Sequence, residues 1–168
     1  MAKMKGVEVV LESLRFLSDQ RGCDEPTPAP TDAEVAEAQR LLGVELPPSY
    51  LEFVDKAGLL MPRDWDLYWI GGPGMTSRRN IVVANEVERA HGGCPLPPHL
   101  IAFFDDGSTD QYCFDTRERE LVDEGEDPLE YPVLLWDRDQ GPEQADAGVV
   151  YVADDFLDWA KRSIQECF

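Results

Sequence analysis

The chain has 168 residues, of which 43% are hydrophobic and 29% are charged, and its formal net charge is −19. This length and hydrophobic content predict one domain with a sizeable core, and such a negative charge disfavours direct binding to nucleic acid or to anionic lipid. No stretch reaches the roughly 20 apolar residues that span a bilayer. Charged residues at Glu8, Glu12 and Arg15 interrupt the N-terminal apolar positions, so we expect a cytoplasmic protein without a signal peptide.

The first third of the chain predicts three helices. Apolar residues at helical spacing indicate an amphipathic helix over residues 7–20, which the proline-rich stretch "CDEPTPAP" stops. Thr31 and Glu34 in "TDAE" predict a capping box for a second helix that ends at Gly43. The stretch "LPPSYLEFVDKAG" predicts a third helix, with a proline in its first turn and Gly58 at its C-terminal end.

The pattern then changes to short strands. Aromatic and β-branched stretches separated by Gly, Pro and Asp predict five strands: "DLYWIG" (66–71), "HLIAFF" (99–104), "DQYCFD" (110–115), "YPVLLWD" (131–137) and "VVYVAD" (149–154). Residues 84–91 are predicted helical, and Asp154 and Asp155 are predicted to cap a last helix. This order predicts an α+β fold, in which the N-terminal helices and the C-terminal helix pack on one side of a mostly antiparallel, meandering sheet.

The acidic turn within "FFDDGSTDQYCFD" (103–115) is compatible with a metal site, an acid–base pair or a structural hairpin. An EF-hand loop that starts at Asp105 would need Gly at its sixth position and Glu at its twelfth, but Asp110 and Thr116 occupy them. Acid–base catalysis by two carboxylates needs a cleft and shifted pKa values, which a sequence does not display. We therefore predict a hairpin with Gly107 in its turn, and neither a metal nor a cofactor.

Nucleophilic catalysis by a cysteine is the remaining hypothesis for an enzymatic function. The four cysteines are scattered without a C-x-x-C pair, so the spacing indicates neither a zinc site nor a redox motif. In "AHGGCP", Cys94 follows His91 closely, but adjacency on a Gly-rich loop is not spatial pairing, and His91 is predicted to end a helix. The stretch "IGGPG" lacks the Lys and Ser/Thr of a phosphate-binding loop. We predict that the chain is not an enzyme; the alternative is a hydrolase that uses Asp110 or Cys94.

Four stretches of the chain resemble the SUKH superfamily of Smi/Knr-like domains. The stretch "EVAEAQRLLGVELPPSYLEFVDKAG" is similar to the first signature, a helix, an LG turn and a "Y..F" helix that ends in Gly. "IAFFDDGSTDQYCFD" followed by "YPVLLWDRD" resembles the second, and "ADDFLDWAKRSI" resembles the final helix of the family. The resemblance covers Asp32 to Ile164. It implies a single domain over residues 1–168, with an N-terminal helix and Pro-rich linker in 1–30 and the family core in 31–168.

The resemblance implies a binding protein without a catalytic set. Many bacterial members are similar to immunity proteins, which neutralise a polymorphic or contact-dependent toxin, often a nuclease, while fungal relatives look like regulatory adaptors of cell-wall synthesis and signalling. We therefore expect the partner to be a basic protein toxin domain. The alternative is an adaptor that binds another cytoplasmic protein. The high net charge also favours a monomer when the protein is free.

The acidic residues concentrate where this partner is expected to bind. Between Asp105 and Asp158 there are 18 acidic side chains and three arginines, a net charge of −15. Complementary charge speeds association with a basic partner, and desolvated aromatic side chains lengthen the residence time. The residues that we expect to contact the partner are Asp105, Asp106, Asp110, Asp115, Asp137 and Asp139, together with Trp69 and Trp136.

Overall fold

The computed structural model describes residues 4–22, 28–58, 62, 65–71, 78–117, 130–140 and 148–166. The helices are α1 (Met4–Arg21), α2 (Asp32–Leu42), α3 (Pro48–Ala57), α4 (Ile81–Arg89) and α5 (Phe156–Gln165). The strands are β1 (Asp66–Leu67), β2 (Leu100–Asp105), β3 (Gln111–Asp115), β4 (Val133–Trp136) and β5 (Val149–Ala153), and a short 3-10 helix, Arg138–Gln140, follows β4.

The strands form one open sheet with the order β1-β2-β3-β4-β5, and every neighbouring pair is antiparallel. This confirms the predicted meander. The first strand is shorter than the predicted range 66–71, because the chain leaves the sheet after Tyr68, whose N–H donates to the Phe103 carbonyl at 2.7 Å. Trp69 instead pairs with the segment before α4, where its N–H donates to the Arg79 carbonyl at 2.6 Å.

Asn85 of α4 takes over the edge of β2 at the point where β1 ends. The Asn85 side chain is fully buried, and its Nδ2 donates to the Ala102 carbonyl at 2.8 Å and to the Ile81 carbonyl at 2.8 Å. The Ala102 N–H donates in turn to Asn85 Oδ1 at 2.9 Å. One amide side chain therefore supplies the donor and the acceptor that a neighbouring strand would supply, and it fixes α4 against the sheet.

An aromatic cluster joins the sheet to the helical layer of α1, α3 and α5. Phe103 and Phe114 from β2 and β3 are stacked with their ring centroids 4.2 Å apart. Phe156 of α5 meets Phe103 edge-on at 5.7 Å and Tyr50 of α3 at 5.5 Å, while α1 packs against both α3 and α5. The predicted α+β fold, with helices layered against a meandering sheet, is confirmed. The remaining helices, α2 and α4, pack against each other, and α4 also contacts β2.

Local capping signals fix the ends of α2. The Thr31 N–H donates to Glu34 Oε2 at 2.7 Å, and the Glu34 N–H donates to Thr31 Oγ1 at 3.3 Å. This is the predicted capping box. At the other end Gly43 has a φ of 75°, a left-handed conformation that glycine adopts without steric cost.

Thr31→Ala is expected to lower the free energy of unfolding by about 1 kcal/mol, because the side-chain acceptor of the capping box is lost. Thr31→Ser keeps the hydroxyl and is expected to retain most of the stability. Urea denaturation of the two variants measures the difference. Equal stability of both variants would show that the cap contributes nothing.

Candidate functional site

The turn between β2 and β3 holds three of the predicted contact residues, Asp105, Asp106 and Asp110. Asp105 Oδ1 accepts a hydrogen bond from the Gly107 N–H at 2.8 Å, and Asp106 Oδ1 accepts from the Ser108 N–H at 2.8 Å. Gly107 has a φ of 82°, as predicted for the tight turn. Local backbone bonds therefore hold two of the carboxylates in place.

The end of β4 brings two more carboxylates to this turn. Thr109 Oγ1 donates to Asp139 Oδ2 at 3.2 Å, and the Asp139 N–H donates to Asp137 Oδ1 at 2.9 Å. We call Asp106, Asp110, Asp137 and Asp139 the acidic tip. Asp106 and Asp139 are exposed, and Asp110 and Asp137 are half-buried, so all four reach the surface.

The carboxylates of the acidic tip interact with one another. Burial raises the pKa of Asp110 above its usual range, and the negative charges of Asp137, Asp106 and Asp139, together with a hydrogen bond to Asp137, raise this pKa further. In the described part of the chain no lysine or arginine forms an ion pair with any of the four. The tip thus concentrates negative charge that the described fold does not neutralise.

The raised pKa of Asp110 gives the tip a pH-dependent effect on stability. Because the folded state holds the Asp110 proton more tightly than the unfolded chain does, the residue stabilises the fold below its unfolded-state pKa. That contribution is lost as the pH rises through the folded-state pKa. Asp110→Asn is therefore expected to be more stable than the wild type at neutral pH, by less than about 1 kcal/mol because the site is partly screened.

The difference in the free energy of unfolding between Asp110→Asn and the wild type is expected to disappear as the pH falls to about 4. Urea denaturation at the two pH values measures it. Asp19→Asn, which removes one carboxylate from the exposed face of α1, is the control for the loss of a single surface charge. A variant of Asp110 that is less stable than the wild type at neutral pH would contradict the account.

Three of the predicted contact residues lie in the interior. The Trp136 side chain is fully buried and Trp69 is 4% exposed, with Trp69 Nε1 donating to the Pro28 carbonyl at 3.2 Å. Asp115 is 6% exposed and pairs with Arg117 Nη2 at 2.7 Å. A covered side chain cannot touch a docked partner unless the fold changes, so these three leave the proposed contact set.

The ion pair at Asp115 explains its charge state. Burial alone would raise the pKa of the Asp115 carboxyl, but hydrogen bonds from the Arg117 side chain and backbone hold this pKa below its usual range. The Arg117 N–H donates to Asp115 Oδ1 at 3.1 Å. Asp115 is therefore a charged structural group at the end of β3.

A polar cavity of about 320 Å³ opens beside the acidic tip, and Asp105 lies in its wall. Glu88 of α4 accepts a hydrogen bond from Arg138 Nη1 at 3.0 Å, and the Tyr68 hydroxyl donates to Gln111 Oε1 at 2.5 Å. These wall residues come from separate positions along the chain, and no spacing in the sequence connects them. Sequence reasoning missed the cavity for this reason.

Neither described cysteine is placed like an activated nucleophile. Cys94 and Cys113 are buried free thiols, and burial raises the pKa of Cys113 well above its usual value. His91 Nδ1 accepts a hydrogen bond from the Gly93 N–H at 3.4 Å, within its own loop.

Across the described ranges no group of three or more His, Cys, Asp or Glu side chains could hold a metal ion. None of the described helices is both long and apolar enough to cross a membrane.

Several predicted features lie outside the described residues. They are Cys23, Cys167, residues 23–27 of the Pro-rich linker, residues 72–74 of "IGGPG" and residues 118–129 of the acidic connection before β4.

Comparison with protein-family models identifies the family of the chain. A family model described as SMI1-KNR4 cell-wall, of the SUKH group, matches residues 8–165. The matched range runs from within α1 to the last residue of α5. It therefore includes every strand of the sheet and both segments that form the acidic tip, the β2–β3 turn and the end of β4. No individual curated protein matches the chain.

Proposed function

Because the chain belongs to the SUKH family, we propose that it is an immunity-type protein, which binds a cognate polymorphic or contact-dependent toxin and neutralises it. The observation that carries this proposal is the acidic tip. Its four carboxylates are held together by the β2–β3 turn and the end of β4, and their charge is not matched by any described lysine or arginine. A surface of this kind is complementary to a basic protein domain.

A nuclease toxin is the partner chemistry that suits this surface best. Nucleases hold phosphates with Lys and Arg side chains, and carboxylates on a protein surface compete for the same groups. The net charge of −19 also steers a basic domain toward the protein and raises the association rate. We therefore propose that the carboxylates of the acidic tip bind the Lys and Arg side chains with which the toxin holds phosphates. These carboxylates are Asp106, Asp110, Asp137 and Asp139, and Asp105 lies beside them.

We further propose that this binding takes place in the cytoplasm and that the free protein is a monomer. A surface with one dominant sign of charge repels its own copies. The complex with the toxin would contain one copy of each protein, and it needs no catalytic step by this chain.

A regulatory adaptor of the same fold is the second candidate function, and an apolar groove favours it. The groove has a volume of about 470 Å³ and lies between α2 and α4, with Ala38, Leu41, Val82 and Val83 among its lining residues. Leu41 is 48% exposed, although it is a large apolar side chain. An adaptor that used this groove would bind a neutral partner through apolar contacts, which salt does not weaken.

Capture of partners from the native host at low and at high salt separates the two functions. The immunity proposal expects a single basic toxin-like polypeptide, released by salt, whose toxic activity the purified protein blocks at a one-to-one ratio. A neutral protein that stays bound at high salt would support the adaptor and overturn the immunity proposal. A basic toxin that binds but stays active would also overturn it.

A further inference from the structure

The cavity beside the acidic tip has the properties of a built binding site. Its volume of about 320 Å³ falls within the range of small-molecule pockets, which begins near roughly 300 Å³. Three polar wall residues are almost completely covered, since Tyr68 is 6% exposed, Glu88 is 8% exposed and Gln111 is 2% exposed. Polar groups this deeply buried normally have at least one hydrogen-bond partner, and any further donor or acceptor on them is directed to the cavity or to solvent.

Gln111 carries a donor that has no partner in the described protein. Its Oε1 accepts the hydrogen bond from the Tyr68 hydroxyl at 2.5 Å. Burial, with smaller contributions from the charges of Asp105 and Glu88, raises the pKa of Tyr68, so the hydroxyl stays protonated and can donate this hydrogen bond. Gln111 lines the cavity, and no described residue accepts a hydrogen bond from its Nε2. A ligand atom that accepts a hydrogen bond would satisfy it.

The charged groups of the cavity are balanced in number. Three acids and three arginines line it: Asp66, Glu88 and Asp105, and Arg78, Arg79 and Arg138. Two ion pairs use four of these groups, because Arg79 Nη2 contacts Asp66 Oδ1 at 2.8 Å and Arg138 Nη1 contacts Glu88 Oε2 at 3.0 Å. The two others are Arg78 and Asp105. Arg78 is exposed and has no ion pair with a described residue, and the Asp105 side chain accepts a hydrogen bond from the Gly107 N–H but forms no ion pair with a described residue.

This balance selects the charge of the ligand. A purely cationic or purely anionic molecule would meet as many like charges as opposite charges on the wall. A zwitterion can direct its carboxylate toward Arg78 and the Gln111 amide, and its amine toward Asp105. Because a zwitterion has no net charge, the overall charge of −19 does not repel it as it would repel a free anion.

We infer that the cavity binds a free amino acid, or a zwitterion of the same size with one carboxylate and one protonated amine. Asp105 and Arg78 recognise the two charges, and Gln111 donates to the carboxylate. The site shares Asp105 with the proposed toxin contact and adjoins the acidic tip, whereas Arg78, Gln111 and Tyr68 belong to neither. The inference does not depend on whether the partner protein is a toxin.

Thermal-shift screening of the full chain against a panel of free L-amino acids, at up to about 10 mM, tests the inference. At least one amino acid is expected to raise the melting temperature, and calorimetry with that compound is expected to give one site. Its N-acetyl and α-amide forms each lack one charge, so each is expected to bind about tenfold or more weakly. Absence of any binding across the panel, or equal binding of the blocked forms, would overturn the inference.

Arg78→Ala and Gln111→Glu test the assigned residues with the amino acid that binds best. Both variants are expected to weaken binding about tenfold or more, whereas Arg15→Ala, which removes an exposed arginine from α1, is expected to leave it unchanged. Arg78 is exposed, so its variant is expected to fold even if Gln111→Glu does not. Unchanged affinity of Arg78→Ala would overturn the assignment.

Discussion

Asn85→Leu is expected to lower the free energy of unfolding by about 3–5 kcal/mol, although leucine has nearly the same size and shape. The fully buried Asn85 amide bonds both the N–H and the carbonyl of Ala102 at the edge of β2. Leucine leaves both backbone groups buried without a partner, and each such group costs about 1–3 kcal/mol. The additional loss of the bond to Ile81 acts in the same direction.

Urea denaturation of Asn85→Leu measures this loss, with Glu86→Leu as the matched control. Glu86 is the next residue of α4 and is exposed, so the same new side chain is expected to change stability by less than about 1 kcal/mol there. If the two variants were equally stable, the amide of Asn85 would not hold the edge of β2.

Phe156→Ala is expected to cost about 3–5 kcal/mol, because it opens a cavity at the contact between α5 and the sheet. Phe156 is fully buried, and its ring lies 5.3 Å from Phe53 and 5.7 Å from Phe103, centroid to centroid. Edge-to-face pairs of this kind add to the free energy of burial. The substitution therefore removes contacts to the helical layer and to β2 together.

Val150→Ala is the control for the core substitution, since Val150 is 58% exposed on β5 and its shortening is expected to cost less than about 1 kcal/mol. Thermal denaturation of both variants, followed by circular dichroism, gives the comparison. A loss for Phe156→Ala no larger than that for Val150→Ala would contradict the proposed role of the aromatic cluster.

Local signals allowed part of the fold to be predicted from the sequence. The ends of α2 follow from Thr31, Glu34 and Gly43, whose hydrogen bonds and conformation involve only near neighbours in the chain. The start of α4 was predicted three residues too late, at residue 84. Asn80 caps this helix by accepting hydrogen bonds from the N–H groups of Val82 and Val83. The β-branched run that follows Asn80 has a low helix propensity and obscured this signal.

Tertiary contacts explain why other features were not predictable. β1 ends at Leu67 because Asn85, 18 positions later, occupies the edge of β2. Trp69 and Trp136 were expected to contact a partner, but Trp136 is fully buried although it ends β4, and Trp69 is 4% exposed and lies beyond β1, so alternation along a strand did not identify an exposed side. The carboxylates of the β2–β3 turn were predictable because they are close in sequence, whereas the cavity combines residues from Asp66 to Arg138.

The central claim is that the acidic tip binds a basic toxin domain, and the affinity of the purified pair tests it most directly. A combined variant removes three of the four charges while keeping the size of each side chain. It carries Asp106→Asn, Asp110→Asn and Asp139→Asn. Exposed ion pairs contribute about 0.2–1 kcal/mol each, so the combined variant is expected to bind about tenfold more weakly at low salt. Its affinity is also expected to depend less on salt concentration.

The matched control removes the same number of charges from the exposed faces of α1 and α3, by Glu12→Gln, Asp19→Asn and Asp55→Asn. Titration calorimetry of the toxin domain against the wild type and both variants, at low and at high salt, is the decisive measurement. A loss of affinity and of salt dependence confined to the acidic-tip variant is the predicted result. Equal affinity and equal salt dependence of the two variants would contradict the claim that the acidic tip is the toxin-binding surface.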